Sequence, residues 1–193
     1  SAIAENNLAS LDRFLEGLDS LQSGFEQTLL NENGEKLESS SGMVYLKRPG
    51  KFHWDYREPY SQKIITDGNT LWLYDEDLEQ VTIRDISGSM DKTPAAVLSG
   101  EEDIEKHFVA INMGTIEGHE WIELTPRDID NQYSSIRIGF EGERIGMMIL
   151  HDNLGQVTRI DFVDPRRNVN LDESLFTFEP PEGVDIIDSR KPG

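Results

Sequence analysis

Near the start of the chain, Leu8, Leu11, Leu15, Leu18, Leu21 and Phe25 recur at steps of three, four, three, three and four, with Asp12, Arg13, Glu16 and Asp19 between them. Such steps place the apolar residues on one stripe of a helix, so the pattern predicts an amphipathic helix over residues 3–25. Gly24, followed by Asn31, Asn33 and Gly34, marks the exit from that element.

Beyond residue 40 the period falls to two. Phe52, Trp54 and Tyr56 alternate with Lys51, His53 and Asp55, and Ile136, Ile138 and Phe140 alternate with Arg137, Gly139 and Glu141. Ile145, Met147 and Ile149 repeat the pattern, as do Ile160 with Phe162 and Phe176 with Phe178. Each run reads as a strand that presents one face to a core. Turn signals separate them at Arg48-Pro49-Gly50, Asp67-Gly68-Asn69, Glu141-Gly142, Asn153-Leu154-Gly155 and Pro180-Pro181-Glu182-Gly183. Many short strands at such spacing predict a mainly β protein, an antiparallel barrel or sandwich built by meander. Thr93-Pro94 reads as the N-cap and first position of a short helix, and 101–106 as another short helix or an acidic loop. Without a repeat, low-complexity tract or linker, a single domain over residues 1–193 is expected.

Charge narrows the partners. The 193 residues carry 18 Lys+Arg against 37 Asp+Glu, a net charge of −19, which disfavours nucleic acid and anionic membrane surfaces as partners. The chain has no cysteine, so disulfides, zinc–thiolate sites and thiol nucleophiles are excluded. No apolar run reaches the roughly 18 residues of a membrane-spanning helix.

Motifs for catalysis or metal binding are missing. The densest acidic cluster, Asp75-Glu76-Asp77 with Glu79, lacks the spacing, the glycine and the terminal Glu of a calcium loop and reads as a solvated hairpin turn. His53, His107, His119 and His151 are scattered without a metal-ligand spacing. No Gly-x-Ser-x-Gly elbow, phosphate loop or dinucleotide fingerprint is present. No enzyme, metal or cofactor is expected.

A curled sheet lines its concave face with every second residue, and a large one can leave a ligand cavity. Leu11, Leu18, Phe52, Trp54, Tyr56, Ile138, Phe140, Met147, Ile149, Ile160 and Phe162 are the candidates for such a lining. Periodicity alone leaves open whether they line a cavity or close into an ordinary core. Met43, Met90, Met113, Met147 and Met148 fit either adaptable lining or gap-filling.

Three ordered segments carry a resemblance. Lys47-Arg48-Pro49-Gly50-Lys51-Phe52-His53-Trp54 resembles the Lys-Arg-Pro-x-x-Phe-x-Trp segment of the bacterial outer-membrane lipoprotein carrier family. Asp67-Gly68-Asn69-Thr70-Leu71-Trp72-Leu73-Tyr74 with Glu79-Gln80 is similar to its central hairpin, and Phe176 to Val184 is similar to its Phe-x-Phe-x-Pro-Pro-x-Gly-Val ending. Phe25-x-Gln27 and Thr93-Pro94 also stand where the family has them. The resemblance implies a strongly curved, incomplete antiparallel β-barrel with a helical lid over an apolar cavity. It further implies a periplasmic monomer that accepts triacylated lipoproteins from an inner-membrane ATP-driven transporter. Such a carrier shields the acyl chains and hands the cargo to an outer-membrane receptor. That receptor carries a lipidated cysteine, so a cysteine-free chain is expected to be the soluble carrier, its signal peptide removed.

By the same resemblance, Arg48 is expected to latch the lid through backbone carbonyls at Leu15 and Leu98, since five fixed donors suit several helix-end carbonyls. Where some relatives have Phe-Met after Thr-Pro, this chain has Ala95-Ala96, so the detailed lid contacts need not carry over. A lipid-sensing regulator of envelope stress with the same half-barrel is the alternative reading, although that regulator has a further C-terminal domain. A glycan hydrolase working through paired carboxylates is the more remote one.

Overall fold

The computed structural model of the chain describes residues 8–86, 94–99 and 104–192. Its helices are α1 (Ala9–Leu15), α2 (Pro94–Ser99) and α3 (Ile104–His107). Its strands are β1 (Ser20–Leu30), β2 (Lys36–Lys47), β3 (Lys51–Glu58), β4 (Gln62–Thr66), β5 (Thr70–Asp75), β6 (Gln80–Asp85), β7 (Phe108–Ile116), β8 (His119–Pro126), β9 (Tyr133–Glu141), β10 (Arg144–Asp152), β11 (Val157–Arg167) and β12 (Asp185–Asp188). Hydrogen bonding follows the order β12-β6-β5-β4-β3-β2-β1-β11-β10-β9-β8-β7, so the sheet is open, with β12 and β7 as its edges. Consecutive strands from β2 to β6 and from β7 to β11 pair antiparallel, whereas β12 lies parallel to β6. The anticipated turns at Arg48–Gly50, Asp67–Asn69, Glu141-Gly142 and Asn153–Gly155 join these strands. Thr93, Met90 and residues 101–103, which entered the sequence reading, lie outside the described residues.

The contacts divide the chain into two compact units. One comprises Ser1–Gly17, Gln27–Glu38 and Glu102–Phe162; the other comprises Leu18–Glu26, Ser39–Glu101 and Val163–Gly193. In the first unit, α1 packs on β8, and the Phe14 ring meets that of Phe140 with centroids 5.3 Å apart. Ile122, Leu124, Ile136, Ile138, Phe140, Met148, Leu150 and Ile160 are all buried in this unit. Arg13, on the outer side of α1, donates to the Glu120 carboxylate at 2.8 Å.

The predicted helix over residues 3–25 is corrected. Among the described residues α1 stops at Leu15, and the chain turns at Gly17, whose φ of +67° suits a residue without a Cβ. Residues 20–30 then form β1, in which Leu21, Ser23 and Phe25 are buried alternately with Gln22, Gly24 and Glu26. Leu21 and Phe25 are four apart, a spacing that satisfies both periods, and the small polar Ser23 between them conceals the alternation. Gly24 is therefore a mid-strand residue, set against Val163, and not a helix exit.

The strand expected through Phe176 and Phe178 is also corrected. Phe176 closes a 3-10 turn, Glu173–Phe176, whose N-cap Asp172 accepts a hydrogen bond from the Ser174 backbone N–H at 2.9 Å. That local bond competes with the sheet ladder and sets the turn.

In β10 the face assignment changes partway along the strand. A register shift between Ile145 and Met147 inserts Gly146 as an extra residue, so that Met148 lies opposite Ile138 and Ile160, while Met147 lies opposite Gly139. Ile145, Met148 and Leu150 are consequently the buried set, and Met147 and Ile149 stand half-exposed on the other face of the sheet. One extra residue reverses the side of every later side chain. On the edge strand β7, Val109, Ile111, Met113 and Ile116 are exposed.

Backbone approach is closest at Gly42, where β2 has its own register shift against β3. A Cβ there would lie 1.8 Å from the Asp55 carbonyl oxygen. Relief requires the two strands to separate, so Gly42→Ala is expected to lower unfolding stability by about 1–3 kcal/mol. Urea denaturation should show this as a lower midpoint at unchanged slope.

Candidate functional site

The residues of the second unit build an apolar sheet face row by row. Register aligns Val44, Trp54, Ile64, Leu73 and Thr82 across β2 to β6, and beside them Leu46, Phe52, Thr66, Leu71 and Arg84. Burial is graded along the first row: Val44 and Trp54 are buried, whereas Ile64 and Leu73 are half-buried. Phe25 of β1 packs on the Trp54 ring at 5.0 Å between centroids and edge-on to Tyr56 at 5.2 Å. Tilted and edge-to-face aromatic pairs of this kind are favoured beyond the area that they bury.

Helix α2 lies against β3, with Val97, Leu98 and Ser99 buried. Its last carbonyl, that of Ser99, accepts a 2.6 Å hydrogen bond from the Gly50 N–H in the β2–β3 turn. The same turn begins at half-buried Arg48, whose backbone N–H donates to the Asp19 carbonyl at 2.8 Å. Asn168 Oδ1 accepts from the Asp19 N–H at 2.8 Å, with Asn168 in the left-handed region at φ 56°. Main-chain bonds to two other segments, at Asp19 and Ser99, thus fix the turn that holds Arg48 and the end of α2.

The opposite face of β3 is polar and nonetheless buried. Sequence alternation puts Lys51, His53 and Asp55 outward, but His53 and Asp55 are only 8% and 7% exposed. The C-terminal segment accounts for this. The Glu173 carboxylate bridges Lys47 and Lys51, the latter at 2.7 Å, and His53 Nδ1 lies 2.8 Å from the Leu175 carbonyl. Phe178 packs on Tyr74 at 5.0 Å. Asp55 is paired with Arg57 at 3.0 Å and lies 3.7 Å from Lys63, as a buried carboxylate requires. Because a carbonyl only accepts, His53 is protonated on Nδ1. Burial holds its pKa below the ordinary 6.5, against the raising effect of the Leu175 hydrogen bond.

The sequence candidates divide between the units. Leu18, Arg48, Phe52, Trp54, Tyr56 and Leu98 belong to the second, and Leu11, Leu15, Ile138, Phe140, Ile160 and Phe162 to the first. In the first unit Ile138, Phe140, Ile160 and Phe162 share the buried sheet face, with Leu11 also buried and Leu15 half-exposed. Met147 and Ile149 are removed from that set by the shift at Gly146. Sequence reasoning missed Phe14, which lies three residues after Leu11, and Leu150, and it did not separate Met148 from Met147, for which the isolated Gly146 inside an alternating run was the available signal. Among the described residues there is no group of three acidic or histidine side chains positioned to hold a metal ion. No described helix is long and apolar enough to cross a membrane.

Comparison with known proteins adds the family. A family model described as "Outer membrane lipoprotein carrier protein LolA" matches residues 16–179. A Methylococcus capsulatus protein named outer-membrane lipoprotein carrier protein is 43% identical over 180 residues, 93% of this chain and 86% of that protein. Among solved structures, a LolA superfamily protein from Nitrosomonas europaea matches with a TM-score of 0.50 at 16% identity, over 86% of this chain and 94% of its own. MucB matches with a TM-score of 0.50 at 13% identity, over 92% of this chain and 63% of its own. At these identities the structural likenesses concern the fold alone, the mostly β, incomplete-barrel class of open sheet.

Protonation supplies a test of the polar face of β3. In the unfolded chain His53 takes up a proton near pH 6.5, whereas folded His53 resists until lower pH, so the unfolded state binds more protons between those values and stability falls as pH drops through that window. His53→Asn, whose amide can still donate toward the Leu175 carbonyl, should lose that part of the slope. Urea midpoints measured from pH 7.5 down to pH 5 check this, and an unchanged slope would remove His53 as its source.

Proposed function

Because this chain belongs to the outer-membrane lipoprotein carrier family, we propose that it acts in the periplasm as a chaperone for triacylated lipoproteins, receiving them from an inner-membrane ATP-driven transporter and delivering them to an outer-membrane receptor. The family's activity is carriage and not catalysis. One observation supports the carrier reading above others. The apolar face of β2 to β5 runs from the fully packed Val44–Trp54 pair to half-buried Ile64 and Leu73, beside a short helix whose last carbonyl is bonded to the β2–β3 turn.

A carrier of acyl chains works against a large driving force. Each CH₂ removed from water contributes about 0.8 kcal/mol, so three long chains bind very tightly to any site that simply encloses them. Release without ATP requires that part of this affinity be offset, and the cost of opening a closed apo state does so. In this reading Leu18, Phe52, Trp54 and Tyr56 of the second unit line the acyl site, with α2 as its lid. Arg48 is the latch, acting on the carbonyl at Leu98. Its support is local: the Arg48-Pro49-Gly50 turn is already the point at which α2 is tied to the sheet. The carrier acts as a monomer, without metal or cofactor.

Loading provides the direct test. A lipoprotein released from inner-membrane vesicles in the presence of this protein should co-elute with it on gel filtration as a soluble one-to-one complex. Failure to bind either acylated peptide or lipoprotein would end the carrier reading. In the same relay, Arg48→Leu should still load cargo but transfer it to the receptor at least about tenfold more slowly, since removing the closed-state contacts strengthens net acyl binding. Transfer at the normal rate would exclude Arg48 as the latch.

A further inference from the structure

The indole of Trp54 is 3% exposed, and its Nε1–H has no hydrogen-bond acceptor among the described residues. An indole N–H can only donate, and a buried donor without an acceptor is rare in folded proteins. The surroundings explain why it goes unmet. Cross-strand neighbours on the same face are Val44 and Ile64, and the ring packs on Phe25 and lies 6.4 Å from the Tyr56 ring. Trp121 shows the contrasting case: its Nε1–H donates to the Ile116 carbonyl at 3.3 Å. A phenylalanine would fill an aromatic cluster without leaving a donor unmet.

Resting on the carrier reading, we propose that Trp54 Nε1–H is a specificity element of the acyl site, donating to the ester carbonyl that joins a fatty chain to its glyceryl group. The chemistry fits the position. An acyl ester brings one strong acceptor on an otherwise hydrocarbon body, so it can enter an apolar face and satisfy a single buried donor there. Plain hydrocarbon buries the same area but leaves the indole unmet, and an alkyl ether lacks the carbonyl oxygen that this donor would reach. Half-buried Ile64 and Leu73, which continue the row from Trp54, give such a ligand an apolar path to the donor from solvent. Trp54 therefore separates acylated cargo from detergents and alkanes of equal length.

The test compares two synthetic lipopeptides with equal chain lengths, one with ester-linked and one with ether-linked glyceryl chains, by titration calorimetry. Wild-type protein should bind the ester form about three- to tenfold more tightly, the range expected for one hydrogen bond. Trp54→Phe, and replacement of Trp54 by benzothienylalanine, which keeps the indole shape with sulfur in place of N–H, should bring the ratio close to one. The benzothienyl protein should lose more affinity for the ester form than for the ether form. Equal binding of the two lipopeptides by wild type, or equal loss for both in the benzothienyl protein, would overturn the assignment while leaving the carrier reading intact. If wild type binds neither lipopeptide, it is the carrier reading that fails.

Discussion

Strand β3 must be buried on both faces, and much of the second unit answers that requirement. On one side stand Phe52, Trp54 and Tyr56, whose rings receive apolar company from Phe25, Val44 and Leu46. On the other stand His53 and Asp55, whose polar atoms have to find partners once water is removed. The chain meets this with its C-terminal segment, in which the Leu175 carbonyl, the Glu173 carboxylate and the Phe178 ring serve residues on β2, β3 and β5. The family-like Phe-x-Phe ending thus belongs to the architecture of the central strands. Its spacing of two reflects a 3-10 turn and the residues just after it.

Net charge of −19 has to be carried by this frame without disrupting it. Many of the carboxylates lie in hairpin turns such as Asp75 to Glu79, where they are solvated and where Asp75 also holds the turn by accepting from the Leu78 N–H at 3.0 Å. The buried Asp55 is neutralised by adjacent cations. Acidity therefore stays on the periphery, compatible with solubility for a protein that also presents exposed apolar side chains along β7.

Legibility of the sequence followed the strength of each local signal. Strand existence, most turn positions and the mainly β class could be read from period-two runs bounded by Gly, Pro, Asn and Asp. The family segments lie where backbone demands are unusual: Lys47 to Trp54 contains the turn fixed by Asp19 and Ser99, and Asp67 both opens its hairpin and caps the N–H groups of Asn69 and Thr70 at 2.9 Å. Illegible features were those in which one residue changed the meaning of a run. Ser23 hid the alternation of β1, and Gly146 reversed the faces of β10, moving Met147 and Ile149 away from Ile138 and Phe140. Two-sided burial of β3 could not be read from its own residues, because the covering segment lies more than one hundred residues later in the chain. The burial gradient from Trp54 to Leu73 was equally invisible, because the ring that packs on Trp54 is that of Phe25, on another strand.

The bond from Gly50 to the end of α2 has a further consequence, because neither of its atoms belongs to a side chain. Substitution at Ser99 leaves the carbonyl in place, and at position 50 only proline would delete the N–H. The bond itself does not depend on side-chain identity, and it is the φ of +76° at Gly50 that restricts that position to a residue without a Cβ. The tie therefore acts on the backbone of the helix end itself, whose Val97, Leu98 and Ser99 are buried.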